Sequence, residues 1–260
     1  MEITNINLVY FSATNTTKKI VREIAKQIDG KITEFNITKN APESNVISEN
    51  GDLLIIGMPV YAGRIPAKTA DALGKFTGNN TPAIIVCVYG NRDYDDALLE
   101  LKDIAETNSF KVISAAAFIA QHAIFPKVGA NRPDEKDIEL IKEFANKSKE
   151  ILLSVTDIAL LPGITVKGNH PYKVPGKLPI HPKGDRKCNE CGTCVAQCPV
   201  QAIPANNPRK TDKKKCIVCA RCIAVCPQKS RHFGGLLYKL AGKKFVKAHT
   251  ARKEPEIIFN

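Results

Sequence analysis

The feature that most constrains this chain is the spacing of the cysteines in its last third. Eight of the nine cysteines lie between residues 188 and 226, in two copies of the pattern C-x2-C-x2-C-x3-C-P. The first cysteines of the two copies, Cys188 and Cys216, are 28 positions apart, so the pattern is an internal repeat. Eight thiols at such regular spacing indicate that this segment folds around a group that the thiols bind.

Each copy of the pattern has the ligand spacing of a cubane iron–sulfur cluster. Three thiolates at two-residue gaps can surround one cluster, and the fourth cysteine, three residues further on, ligates the cluster of the other copy. The spacing therefore predicts two 4Fe-4S clusters with crossed ligation. We call the ligands of one cluster the first cysteine set, which is Cys188, Cys191, Cys194 and Cys226. The second cysteine set is Cys216, Cys219, Cys222 and Cys198.

Two other uses of clustered cysteines compete with this prediction. A zinc site needs four ligands in two pairs, which leaves the third and fourth cysteine of each copy without a role. Disulfide bonds need an oxidising compartment, which nothing else in the sequence supports. The segment resembles the bacterial two-cluster ferredoxins, and Pro199 and Pro227 match the proline of that pattern. The resemblance implies a small α+β domain.

Charge divides the chain into two unlike parts. Residues 1–182 carry 21 basic and 21 acidic side chains, whereas residues 183–260 carry 17 and 5. The formal net charge of +12 therefore lies in the cysteine-rich part, although two clusters would offset about four of those charges. Lys213, Lys214 and Lys215 suggest nucleic acid, but the interleaved aromatic residues of a single-strand binder are missing. We expect redox partner proteins with an acidic docking face and no nucleic acid.

The chain shows no pattern of export or membrane insertion. Its first residues lack the basic region and the small-residue cleavage site of a signal peptide, and their pattern is that of a strand. No apolar run approaches the roughly 18 residues of a membrane span. Because exposed cysteines and clusters suit a reducing compartment, we expect a cytoplasmic protein without a membrane span.

Apolar runs and helical patterns alternate through the first 152 residues. Five strands separated by helices indicate an α/β fold with a doubly wound parallel sheet. In such sheets ligands bind beyond the carboxyl ends of the strands. The predicted strands are residues 6–11, 31–37, 52–60, 83–89 and 111–120, and the predicted helices are residues 17–28, 66–76, 94–107 and 133–152.

Hydroxyl and amide side chains fill the loop after the first predicted strand. Free N–H groups at a helix N-terminus and these hydroxyls can surround one anion, and a phosphate fits. The same residue types are ordinary helix caps, so capping alone is an equal alternative. With the order of the strands added, the loop resembles the phosphate loop of flavodoxins, which bind FMN. Its candidate binding residues are Ser12, Thr14, Asn15, Thr16 and Thr17.

The resemblance implies a flavodoxin-like domain with two further loops at the flavin. The family usually has glycine where this chain has Asn15, and asparagine is the non-glycine residue that best tolerates positive φ. The resemblance assigns Tyr61 to one flavin face, backbone near Ala62 and Gly63 to the N5 edge, and Tyr94 to the other face. A turn with Tyr61 packed into the core is the alternative. The implied binding residues are Pro59, Val60, Tyr61, Ala62 and Gly63, then Tyr89, Gly90, Asn91 and Tyr94.

These patterns divide the chain into four segments. Residues 1–152 are predicted to be the flavodoxin-like FMN-binding domain, and residues 183–230 the two-cluster ferredoxin-like domain. Between them, residues 153–182 contain grouped prolines that predict a semi-rigid linker. Residues 231–260 are predicted to be a basic tail that contains an amphipathic helix. The apolar side of that helix is predicted to contain Leu236, Leu237, Leu240 and Phe245.

Together the two resemblances imply a fusion of flavodoxin and ferredoxin domains. Such a fusion implies an electron-transfer protein that passes electrons between two 4Fe-4S clusters, FMN and redox partners. The alternative is an FMN-dependent reductase of a small-molecule substrate, fed by the ferredoxin domain, with His122 or Tyr94 near the flavin. A redox sensor is a third interpretation. The dinucleotide pattern G-x-G-x-x-G is absent from the sequence, so no dedicated nicotinamide domain is predicted.

Overall fold

Strands and helices alternate through the first part of the molecule. The computed structural model describes residues 1–176 and 178–260. The strands of the first part are β1 Asn5–Tyr10, β2 Lys31–Asn36, β3 Val46–Ile47, β4 Asp52–Pro59, β5 Phe76–Thr77, β6 Thr81–Tyr89 and β7 Phe110–Ile119. Its helices are α1 Thr16–Ala25, α2 Thr69–Leu73, α3 Ala97–Thr107 and α4 Glu135–Ser154, followed by a 3-10 helix at Ile158–Leu160.

Shorter elements build the cysteine-rich part and the end of the chain. The strands are β8 Lys183–Gly184, β9 Arg231–His232 and β10 Glu256–Phe259. The helices are α5 Thr193–Ala196, α6 Arg221–Ala224 and α7 Leu236–His249. Strands β8 and β9 pair antiparallel and close the segment that contains both cysteine patterns. Among the described residues, none of these helices is long and apolar enough to cross a membrane.

Five parallel strands in the order β2-β1-β4-β6-β7 form the doubly wound sheet that the sequence predicts. Every residue of β4 and β6 is buried. Parallel strands are buried on both faces by helices, which explains why these strands are continuous apolar runs in the sequence. The strand order reverses between β1 and β4, so the loops after these two strands meet at the switch point, where ligands bind in such folds.

Helices cover both faces of the sheet. On one face α1 and α4 pack through Ile24 and Phe144 onto strand residues such as Ile55. On the other face α2 and α3 pack through Leu73 and Leu98. The two apolar clusters lie on opposite sides of the same strands, so the sheet is the middle layer of three.

A sixth strand, which the sequence did not predict, completes the sheet from the far end of the chain. Strand β10 pairs antiparallel with β7, and Ile258 lies opposite Ala115. The ring of Phe259 packs on Phe144 with 5.6 Å between ring centroids. Because an uncovered edge strand leaves its N–H and C=O groups unpaired, β10 covers the edge that β7 would otherwise expose. The last residues are thus part of the flavodoxin-like sheet.

The proline-rich segment lies along α3 and is held there by hydrogen bonds. The Asp96 carboxylate accepts the N–H of Asn169 at 3.0 Å and the N–H of Lys173 at 2.6 Å. The Arg64 guanidinium lies over the Tyr172 ring, 4.4 Å from its centroid. These contacts fix the path of the segment before the first cysteine.

Candidate functional site

The loop between β1 and α1 has the backbone of an anion site. Asn15 has a left-handed φ of 66°, a conformation typical of the glycine that the flavodoxin pattern has there. Ser12 Oγ accepts the N–H of Lys18 at 3.1 Å, so the loop caps its helix in part. Within the described part of the chain, the N–H groups of residues 14–17 have no hydrogen-bond partner. A phosphate at the N-terminus of α1 would satisfy them.

The loop after β4 turns tightly at two left-handed residues, Ala62 with φ 53° and Gly63 with φ 90°. The N–H of Tyr61 donates to the carbonyl of Arg64 at 2.8 Å, and the N–H of Arg64 donates to the carbonyl of Tyr61 at 3.2 Å. The Tyr61 ring is half-buried and meets Phe11 edge-on, with centroids 6.1 Å apart. Burial raises the pKa of Tyr61. Tyr61 therefore packs partly into the core and partly faces outward.

Residues that precede and follow this turn fix its position. Pro59 is the last residue of β4, and the N–H of Val60 donates to the carbonyl of Val88 at 2.9 Å. The carbonyl of Gly63 accepts the N–H of Asp96 at 3.1 Å. These bonds tie the loop after β4 to β6 and to the loop that follows it.

The third predicted loop, after β6, is covered by other parts of the chain. The Asn91 side chain is 1% exposed, and its Nδ2 donates to the carbonyl oxygens of His249 and Ala251, both at 2.8 Å. Tyr94 is 2% exposed and packs against Tyr89, with 5.6 Å between ring centroids. Lys167 Nζ lies 4.7 Å from the centroid of the Tyr94 ring. Because the linker and the tail fold back here, Tyr94 lacks the exposed ring face that stacking on a flavin needs.

His122 packs beneath the third loop. Its Nδ1 accepts hydrogen bonds from the N–H groups of Ile124 and Phe125, both at 3.1 Å. Its ring packs edge-on against the Phe245 ring, with 4.8 Å between ring centroids. A Cβ at Gly90 would lie 2.5 Å from His122 Cδ2, so the absence of a side chain at Gly90 permits this contact. Burial lowers the pKa of His122 to about 4, and the ring is therefore neutral near pH 7. His122 organises the loop as a hydrogen-bond acceptor.

The two cysteine patterns have the same backbone conformation, and each equivalent pair of residues is 28 positions apart. Positive φ angles occur at Glu190 and Val218 (60° and 57°), Gly192 and Ala220 (75° and 61°), and Gln201 and Lys229 (51° and 48°). Positive φ is uncommon for side chains other than glycine, above all for a β-branched valine. Left-handed residues turn successive N–H groups toward one concave side, an arrangement that binds anionic iron–sulfur clusters.

Each predicted cysteine set lines one cavity. The cavity of the first set is lined by Cys188, Cys191, Cys194 and Cys226. The cavity of the second set is lined by Cys198, Cys216, Cys219 and Cys222. The fourth cysteine of each pattern thus reaches the cavity of the other copy. All nine cysteines are free thiols, and four thiols around each cavity fit a cubane cluster.

Backbone N–H groups are directed at the crossing cysteines in both copies. The N–H of Ala202 donates to Cys198 Sγ at 3.2 Å, and the N–H of Ser230 donates to Cys226 Sγ at 3.3 Å. Hydrogen bonds to sulfur stabilise the thiolate form and are one way in which a protein adjusts a cluster's potential. The sequence repeat is therefore also a repeat of hydrogen bonding.

Comparison with known proteins gives both parts of the chain a family. Residues 7–97 match the family model of a flavodoxin domain, and residues 182–227 match that of a 4Fe-4S dicluster domain. The chain joins a flavodoxin domain to a 4Fe-4S dicluster domain. These domains imply FMN and 4Fe-4S cofactors, and they support an electron-transfer protein that contains flavin and iron–sulfur centres.

Solved structures that are similar to this chain include flavodoxins and larger flavoproteins. A flavodoxin from the domain Archaea is 12% identical, with a TM-score of 0.39 over 58% of this chain and 99% of that one. A Streptococcus pneumoniae flavodoxin is 17% identical, with a TM-score of 0.41 over 57% and 99%. Rubredoxin oxygen:oxidoreductase from Desulfovibrio gigas is 15% identical, with a TM-score of 0.41 over 59% and 38%. No curated protein sequence matches the chain.

The dicluster domain lies against the loops of the flavodoxin domain through its second cysteine set. Cys219 is 8% exposed and belongs to the same apolar cluster as the core of the flavodoxin domain. Arg221 Nη1 donates to the carbonyl of Ala13 in the loop after β1, at 3.2 Å. Lys68 Nζ donates to the carbonyl of Pro199 at 2.9 Å. Two hydrogen bonds and an apolar contact therefore join the flavodoxin domain, at the loop after β1 and at the segment before α2, to the neighbourhood of the second set.

Sequence reasoning missed both cations of this interface. Arg221 lies between two ligand positions of the second set. Apart from this position, nothing in the sequence indicated a role for Arg221. Lys68 lies in the segment before α2 and had no signal, because its partner is 131 residues away in the sequence. Contacts between domains depend on how the domains meet, which local patterns do not encode.

Proposed function

We propose that the protein passes electrons between redox partner proteins and FMN by way of two 4Fe-4S clusters. The observation that carries the proposal is the contact between the second cysteine set and the loops of the flavodoxin domain. When bound, FMN exchanges one or two electrons and a 4Fe-4S cluster exchanges one, so the combination converts between the two modes. A cluster site that lies against the flavin loops gives this exchange a short path.

The residues of the flavodoxin domain fit FMN at the end that carries the phosphate. The unpartnered N–H groups of residues 14–17 and the hydroxyls of Thr14 and Thr16, which are 3.3 Å apart, would bind the phosphate oxygens. Tyr61 and the backbone at Ala62 and Gly63 would lie beside the flavin ring. The half-buried Tyr61 ring would keep water from that side of the flavin.

The two cysteine sets differ in exposure, which gives them different roles. Cys191 of the first set is exposed, whereas Cys198, Cys219 and Cys222 of the second set are all less than 9% exposed. The first set is therefore the one that a partner protein can approach, and the second set is the one that faces the flavodoxin domain. Electrons from a partner would enter at the first set.

The encounter with an acidic donor protein should depend on Lys213, Lys214 and Lys215, which are exposed and attract the donor to the dicluster domain at long range. Replacing the three lysines by glutamine should slow reduction by that donor roughly tenfold at low salt, because electrostatic steering raises encounter rates. The difference should vanish near 1 M salt, where the Debye length shrinks from about 10 Å to about 3 Å. Stopped-flow absorbance over a range of salt concentrations measures both effects.

A matched triple variant separates steering from a general loss of charge. Lys26, Lys31 and Lys142 are exposed lysines of the flavodoxin domain, and replacing them by glutamine removes the same charge. This control should reduce the rate much less. Equal losses in the two triple variants, or no loss in the first, would show that the partner does not dock on the basic dicluster domain.

A further inference from the structure

A fully buried arginine lies inside the dicluster domain. Arg231 is 2% exposed and is among the largest buried side chains of the protein. A guanidinium group keeps its proton in proteins, so Arg231 is charged wherever it lies. Burying a charge is strongly unfavourable unless an opposite charge is close. The structure should therefore contain a negative partner for Arg231.

The hydrogen bonds of Arg231 go to neutral oxygens. Its Nη2 donates to the carbonyl of Pro182 at 2.9 Å and to the Thr211 hydroxyl. Its Nη1 donates to the carbonyl of Pro208 and, at 3.5 Å, to that of Lys210. Among the described residues no carboxylate pairs with Arg231, and its buried Nε has no partner. Carbonyl groups orient the guanidinium but do not neutralise it.

The groups around Arg231 that become negative belong to both cysteine sets. Arg231 lines the first cavity together with Cys194 and Cys226. Pro182 and Thr211, the two residues that accept hydrogen bonds from its Nη2, line the second cavity together with Cys216 and Cys222. Arg231 is therefore a buried cation between the two predicted cluster sites.

We propose that Arg231 is the shared counter-charge of the two clusters and raises the reduction potential of both. This inference rests on the proposed function, because it needs both clusters. Accepting an electron makes a cluster one charge more negative, and a nearby buried cation stabilises that reduced form more than the oxidised form. Water and salt screen the charges of surface lysines, whereas the charge of Arg231 is buried and therefore screened much less.

The test compares Arg231→Gln and Arg231→Lys in the full chain, prepared without oxygen. Iron and acid-labile sulfide are counted first, and reduction potentials are then measured by redox titration with electron paramagnetic resonance. In Arg231→Gln the equilibrium constant for reducing each cluster should fall at least about tenfold, which is about 59 mV for one electron. Arg231→Lys keeps the charge and should retain most of the potential.

Arg209 offers a matched control in the same domain. Its side chain is 45% exposed, and it donates to the carbonyl of Cys188 at 3.0 Å. Arg209→Gln removes the same charge from a solvated position and should shift the potentials much less than Arg231→Gln.

Each outcome of this test either supports or overturns the role of Arg231 as a shared counter-charge. Lower potentials at both clusters in Arg231→Gln, or loss of iron in that variant but not in Arg231→Lys, would support the shared counter-charge. Unchanged potentials with full iron, a shift at one cluster only, or loss of iron in both variants would overturn it. Wild-type protein without sulfide would instead contradict the proposed function itself, so the two failures are distinguishable.

Discussion

Replacing Cys226 by alanine should remove about half of the roughly eight iron atoms that two 4Fe-4S clusters contain. The damaged cluster should be the one that Cys191→Ala damages, because Cys226 lines the cavity of the first set although it belongs to the second pattern. Cys198→Ala should damage the same cluster as Cys219→Ala. Iron and sulfide counts and electron paramagnetic resonance spectra of the four variants give the pairing.

The remaining cysteine provides the control for these variants. Cys87 is buried in β6, outside both patterns, and burial raises the pKa of its thiol strongly. Cys87→Ala should leave iron, sulfide and both spectra unchanged. Native protein with zinc and negligible sulfide would contradict the cluster prediction, and Cys226→Ala that resembles Cys219→Ala would contradict the crossing.

Replacing Thr14 and Thr16 together by glutamate should weaken FMN binding at least about hundredfold, which is about 2.8 kcal/mol. The two carboxylates would lie at the N–H groups that are free at the start of α1 and would repel the phosphate. Fluorescence titration of the protein freed of flavin measures the affinity. Riboflavin, which lacks the phosphate, should lose much less affinity than FMN.

A double variant with the same added charge tests whether the position matters. Thr33 and Thr107 are exposed on β2 and at the end of α3, away from the phosphate loop in sequence. Replacing both by glutamate should leave FMN affinity nearly unchanged. Full FMN affinity in the Thr14 and Thr16 variant would place the flavin elsewhere in the protein.

The parallel sheet was predictable because its chemistry is local. Strands covered by helices on both faces are apolar at nearly every position, and β4 and β6 show this directly. The two-residue strands β3 and β5 are too short to have a pattern. Strand β10 has a short apolar run, but its place beside β7 depends on the chain returning from the dicluster domain.

The tail helix shows what periodicity cannot decide. Leu236, Leu237 and Leu240 are 72%, 53% and 60% exposed, although the pattern predicts that they share a packed side with Phe245. Tyr238 and Phe245 instead pack on Phe125, with ring centroids 5.4 Å and 4.9 Å away. The helix was predictable, whereas the face that it buries depends on the aromatic residues after β7.

Some features of the candidate site were predictable from the sequence and others were not. The left-handed backbone at Asn15 follows from local preference, and the grouping of the cysteines follows from their spacing. The left-handed backbone at Val218 opposes local preference and was not predictable. The burial of Tyr94 depends on Lys167 and the tail, which are distant in sequence. Residues that act within one loop were therefore predictable, and residues that act between segments were not.

The proposed electron path from the clusters to the flavin through the second cysteine set must be tested in the full chain. A chain shortened to its first domain would lose β10, the strand that covers the edge of β7. Cys219→Ala removes one ligand of the second set and leaves β10 in place. Cys87→Ala serves as the control.

The decisive measurement is the stopped-flow rate at which a low-potential, one-electron donor protein reduces the flavin of these variants. FMN content is matched beforehand. We expect flavin reduction to be much slower in Cys219→Ala than in the wild-type protein and in Cys87→Ala, while a small chemical reductant reduces the flavin of all three equally fast. Equal rates with the donor protein would show that the donor reduces the flavin directly and would contradict a path through the second cysteine set.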